Sequence, residues 1–172
     1  MGHEEIMREY ANQRARRAGK SVDELLAITN GNEIEFIQSL EIALQQKAER
    51  VGDDDMTEEE IIVLAVEALE REVNNGGYSQ FFVNSSREYT PIIVHALFRI
   101  DCPKTAELTK KAIAAAGFQG LAPMALAEAL NSYSGADNQE LDECDQLYYS
   151  SGENILGKLI DFVKANKNVI QP

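Results

Sequence analysis

Residues 71–84 read REVNNGGYSQFFVN, with two asparagines, two glycines and two phenylalanines in one short stretch. How that stretch is read decides the fold. In the segment before it, 57–73, a helical wheel at ~100° per residue gathers Ile61, Ile62, Ala65, Ala68, Leu69 and Val73 on one broad face. Glu59, Glu60, Glu67 and Glu70 fall on the opposite side, which predicts an outward acidic row. Glu72 breaks the pattern. It lies in the middle of the apolar face, where a carboxylate must find hydrogen-bond donors or be very costly to bury. Beyond the glycines, Tyr78, Phe81 and Phe82 recur at i, i+3 and i+4, so the chain re-enters a helix with an aromatic face. Gln80 and Asn84, four apart, share another face of that helix. The stretch is therefore read as a helix break holding a polar hub of Glu72, Asn74, Gln80 and Asn84, sealed by aromatics such as Phe81. Gly76 and Gly77 permit left-handed backbone and a close helix approach.

Working outward, nearly every segment has helical period and nearly every break is a glycine or proline. A basic helix is expected over 4–18, ending at Gly19. Ser21 with Glu24 forms a capping box for a helix through VDELLAIT, and a longer helix runs from Asn32 to Gly52. DDDM is a charged connector, and Thr57 with Glu60 makes a second capping box. Glu58 and Glu59 suit the positive end of that helix dipole. Thr90-Pro91 is read as an N-cap with an N1 proline, and Pro103 and Pro123 open two more helices. Helices at 138–150 and 153–166 complete the chain. No alternating β run, internal repeat or low-complexity linker is present. The expectation is one all-α domain spanning 1–172, with about nine or ten helices.

The charge is strong and unevenly placed. Sixteen basic and 29 acidic residues give −13, beyond the magnitude of ~2–8 usual for a small soluble domain. Residues 33–72 hold 13 acids and 3 bases, and 137–161 hold 7 acids and 1 base. Residues 73–136 are nearly balanced, at 4 acids and 5 bases. Such a chain repels nucleic acid and anionic membranes and attracts basic partners or cations. The longest apolar run, IIVLAV at 61–66, is too short to span a membrane. With no signal-peptide pattern at the N-terminus, a cytoplasmic protein is expected.

Several chemistries lack their residues. Neither G-x-x-x-x-G-K-[ST] nor G-x-G-x-x-G is present for a phosphate. Only Glu72 in the 71–84 stretch suits a metal, and the acids at DDD and DECD lack EF-hand spacing, so no metal and no cofactor are expected. His3 and His95 are distant in sequence from any nucleophile in the stretch. Cys102 and Cys144 have no ligand spacing and read as reduced core thiols. The remaining alternative is an enzyme or small-ligand protein using a pocket around 72–84.

The residues Glu72, Asn74, Gly76, Gly77, Gln80, Phe81 and Asn84 in EVNNGGYSQFFVN, with the later LYYSSGENILGKLIDFVKAN, resemble the bacterial helical family represented by a neisserial 19-kDa DNA-mimic protein. The likeness covers roughly 55–165. It implies an all-α fold, a homodimer, and binding to a helix-turn-helix transcription factor in place of DNA, without catalysis. The charge agrees, because a mimic must present carboxylates where a duplex presents phosphates. No short motif marks the contacts. The acids assigned to them are Asp53, Asp54, Asp55, Glu59, Glu60, Glu67 and Glu70, with Asp142, Glu143 and Asp145 as a second cluster.

Overall fold

Local capping sets most of the element boundaries. In a computed structural model, which describes residues 2, 4, 5, 12, 17–135 and 138–172 and all their side chains but that of Asp53, Ser21 and Glu24 form the reciprocal capping box that opens α1 (Val22–Ile28). The Asn32 side chain accepts from the Glu35 amide at the start of α2 (Glu33–Val51), and Gly52 ends it at φ +84°. A short 3-10 turn, Asp53–Asp55, leads to α3 (Glu58–Val83). There the Thr57 amide donates to Glu60 at 3.0 Å and the Glu60 amide to the Thr57 hydroxyl at 3.2 Å. A second 3-10 turn, Ser85–Tyr89, precedes α4 (Ile93–Arg99) and α5 (Pro103–Ala115). The remaining helices are α6 (Pro123–Ser132), α7 (Gln139–Ser150) and α8 (Ile155–Ala165).

The all-α reading holds, with eight α-helices among the described residues rather than nine or ten. Of the helix expected over 4–18, only Glu4, Glu5, Asn12, Arg17 and Ala18 are described, the first four of them helical, and His3 lies outside the described residues. The Thr90-Pro91 start is corrected. Thr90 is in the α region (φ −51°, ψ −40°) and ends the 3-10 turn, its amide donating to the Arg87 carbonyl. A side-chain cap is made from extended backbone, which Thr90 lacks, and the next helix starts only at Ile93, with Ile92 before it and no side-chain cap. No helix among the described residues is long and apolar enough to cross a membrane.

The chain forms two compact units. One comprises Met1–Leu64 and Leu159–Pro172, the other Ala65–Lys158. In the first, α1 packs on α2, and Leu25, Phe36, Leu40 and Leu44 are almost fully buried. A single carboxylate, Glu60, ties together three of its segments: the start of α3, α2 and the C-terminal residues. In the second, α5 packs against both α4 and α7. Its core is built around Tyr78, Phe81, Phe82, Ile93 and Leu97, all 0% exposed. Phe82, Phe118 and Tyr133 form a cluster of edge-to-face rings with centroids 5.2–6.1 Å apart. Removing such area from water is the main stabilising term, at roughly 25 cal/mol per Å².

Candidate functional site

The two glycines interrupt α3 as expected. Gly76 (φ −165°, ψ 25°) and Gly77 (φ +74°, ψ −176°) leave helical geometry while the helix continues on either side. Only Gly77 is in the left-handed half of the map, where a side chain is strained. A Cβ there would also sit 2.0 Å from Asp145 Oδ2. That closeness has a purpose, because Asp145 Oδ1 accepts from the Tyr78 amide at 2.8 Å and so caps the resumed half of α3 from α7.

The break returns the second half-helix to Glu72. Its carboxylate, 7% exposed, accepts from Gln80 Nε2 at 2.8 Å, Asn84 Nδ2 at 2.7 Å and Ser86 Oγ at 3.0 Å. Burial alone raises such a carboxyl. Here the three hydrogen bonds, with the Arg71 charge, outweigh it and hold Glu72 below the usual carboxylate range. Asn74 is not part of this hub. It is exposed, and its Nδ2 donates to the Glu70 carbonyl at 2.7 Å. Ser86 takes the fourth place instead, a donor that helical spacing could not reveal because it lies beyond the end of α3. Phe81 is fully buried beside the hub residues, in ring contact with Phe82.

The outward acidic row of α3 is corrected by its packing. Glu60 is 0% exposed. Lys47 Nζ donates to both its oxygens, at 2.7 and 2.9 Å, and the Gln171 amide donates at 2.7 Å. The wheel places Glu60 opposite the apolar stripe, but that side of this turn is covered by chain from 13 and 111 residues away. Glu70 is half-buried, accepts from the Tyr148 hydroxyl, and is pushed by burial up to about 7. Glu59 and Glu67 are half-buried and each has an interaction of its own. Asp54 and Asp55 are exposed in the 3-10 turn, while the side chain of Asp53 is outside the described residues.

The second acidic cluster divides in the same way. Asp145 turns inward to cap Tyr78, and burial raises its carboxyl despite that hydrogen bond. Asp142 and Glu143 remain exposed, and Glu140, outside the expected set, stands exposed on the same turn. Asn138 caps α7 by accepting from the Glu140 and Leu141 amides, and acids in this first turn are favoured by the helix dipole. Glu143 accepts from Gln139 at 3.2 Å. Among the described residues none of the three is held in an ion pair, and α7 itself contains no Lys or Arg. Three carboxylates thus lie within about 4.5 Å of helix axis. That is comparable to the one phosphate per ~1.7 Å of a DNA duplex.

The remaining chemistry-bearing residues are buried or scattered. Cys102 and Cys144 are free and buried, with the Cys102 thiol pushed up to about 12 by that burial. His95 is exposed on α4. Among the described residues no three His, Cys, Asp or Glu side chains cluster to hold a metal ion.

The family model described as DMP19-like protein matches residues 54–166, more than half of the chain. The matched span takes in the glycine break, the Glu72 hub and the exposed turn of α7. No curated protein and no solved structure matches the chain.

Proposed function

The chain belongs to the DMP19-like protein family, and from that premise we propose that it is a non-enzymatic DNA mimic that occupies the DNA-reading surface of a helix-turn-helix repressor. The observation that carries this reading is the exposed acidic turn Glu140, Asp142 and Glu143 on α7, which no ion pair holds among the described residues. Repressors meet phosphates with Lys and Arg, and carboxylates at duplex-like spacing offer the same groups a substitute. Occupying that surface displaces the operator, so the protein acts as an anti-repressor in the cytoplasm. A homodimer would present the acidic turn twice, as a two-fold repressor requires. Asp54 and Asp55 are a further candidate contact in the other unit.

The test must spare the buried acids. Reversing Glu60 or Glu70 to Lys would disturb the fold and the surface together, so those residues cannot report on binding. Reversing Glu140, Asp142 and Glu143 to Lys leaves the hub and the Asp145 cap intact. The triple variant should keep the parent's circular dichroism and lose binding to the repressor. Parent binding should weaken as salt rises, because exposed charges are screened over ~8–10 Å at ordinary ionic strength. A triple variant that binds as the parent does would remove α7 from the interface.

The enzyme or small-ligand alternative at 72–84 has less to support it. Its one buried acid, Glu72, already has three donors from its own chain.

A further inference from the structure

The face that α6 turns to solvent is apolar, although the chain as a whole is strongly charged. Of α6, only Leu130 is buried. Its residues Pro123, Leu126 and Leu130 repeat at i, i+3 and i+7 along one wall of a groove of about 640 Å³. Leu121 and Pro91 extend the same lining. The volume lies within the ~300–1,000 Å³ of small-molecule sites. Along α6 the wall runs about 12 Å.

The opposite wall is the 3-10 turn, and it brings one cation, Arg87, to the groove. Arg87 Nη1 donates to the Val83 carbonyl at 3.2 Å. That contact fixes the guanidinium while leaving most of its five donors unused. Among the described residues no carboxylate forms an ion pair with Arg87. Glu88, which also lines the groove, has an interaction of its own. An uncompensated guanidinium at an apolar groove recognises a planar anion carried on an apolar body, since the fork of Arg fits a carboxylate bidentately.

We propose that this groove binds a small amphipathic carboxylate, its aliphatic chain lying along α6 and its head group on Arg87. The site is separate from the acidic turn of α7, and it stands or falls independently of DNA mimicry.

Decanoate, below its micellar concentration, is the probe, and titration calorimetry on the full chain is the readout. One saturable site is expected. Arg87→Gln should weaken decanoate by about tenfold or more through loss of the charge-assisted hydrogen bonds, while leaving the binding of 1-decanol unchanged. Ala127→Phe, on an exposed position lining the groove, should abolish binding of both with the circular dichroism unaltered. Absence of saturable binding would overturn the proposal. Equal affinity of parent and Arg87→Gln for decanoate would do the same. So would a dimer, seen by sedimentation, that Ala127→Phe dissociates while decanoate leaves it intact, since the groove would then be covered by a second copy.

Discussion

At the scale of single residues, a carboxylate's role follows from what donates to it, and Glu72 and Glu60 show how far sequence can foresee that. Glu72 was legible because it violates the periodicity of its own helix, and its donors Gln80 and Asn84 lie in that helix and immediately after its end. Glu60 was legible only as half of the Thr57 capping box. Its partners Lys47 and Gln171 come from distant chain, which no local period encodes. Glu72→Ala should destabilise the protein by about 1–3 kcal/mol by leaving three donors unpaired, measured by urea denaturation. Glu60→Ala should cost about 3–5 kcal/mol, because it leaves the largely buried Lys47 charge with no counter-ion and only the Gln171 carbonyl to donate to. Glu70 makes a pH prediction. Its carboxyl rises from 4.5 unfolded to about 7 folded, so the native state binds the extra proton between those values. The stability this proton contributes is present below the lower value and lost as pH rises through the upper one. Glu70→Gln should therefore gain in melting temperature relative to the parent on going from about pH 5 to about pH 8. A gap that stays constant would show that the burial of Glu70 does not perturb its titration.

At the scale of elements, α3 is one helix in hydrogen-bond pattern and two in direction of use. The break itself could be read from Gly76-Gly77, and so could the aromatic face that follows. What fills the opening could not, because Asp145 arrives from α7, 67 residues away from Tyr78. Sequence reading assigned Asp145 to a surface cluster by its neighbours Asp142 and Glu143. At ~100° per residue it falls about 60° round from Asp142 and about 160° from Glu143, beside the buried Leu141 and Tyr148, and that placement turns it inward. Gly77→Val should be at least as harmful as Glu72→Ala, since it combines positive φ with a clash against the capping carboxylate. Asp145→Ala should relieve that clash while losing the cap, at a cost of about 0.5–2 kcal/mol on its own. Combining Asp145→Ala with Gly77→Val should cost less than the sum of the two, as coupled neighbours do. Strict additivity in thermal or urea melts would place the strain elsewhere. The failed start at Thr90 has a similar cause: a 3-10 turn upstream held the residue in helical backbone, and Pro91 alone could not reset it.

At the scale of the whole molecule, the net charge of −13 divides into two uses. Glu60, Glu70, Glu72 and Asp145 hold elements in place, while Glu140, Asp142, Glu143, Asp54 and Asp55 remain on the surface. Composition revealed the total, but only packing separates the two sets, and so the candidate interface moved from α3 to α7. Dimerisation should appear as twice the chain mass in sedimentation equilibrium at micromolar concentration, with a strict monomer counting against the two-fold presentation of α7. The most direct measurement is a gel-shift competition. It uses a basic DNA-binding protein recovered with the chain from a native lysate, that protein's labelled operator DNA, and rising amounts of this protein. Mimicry predicts release of free operator as the protein is added, and no release by the Glu140→Lys, Asp142→Lys, Glu143→Lys variant. A slower band containing repressor, operator and this protein together would contradict it.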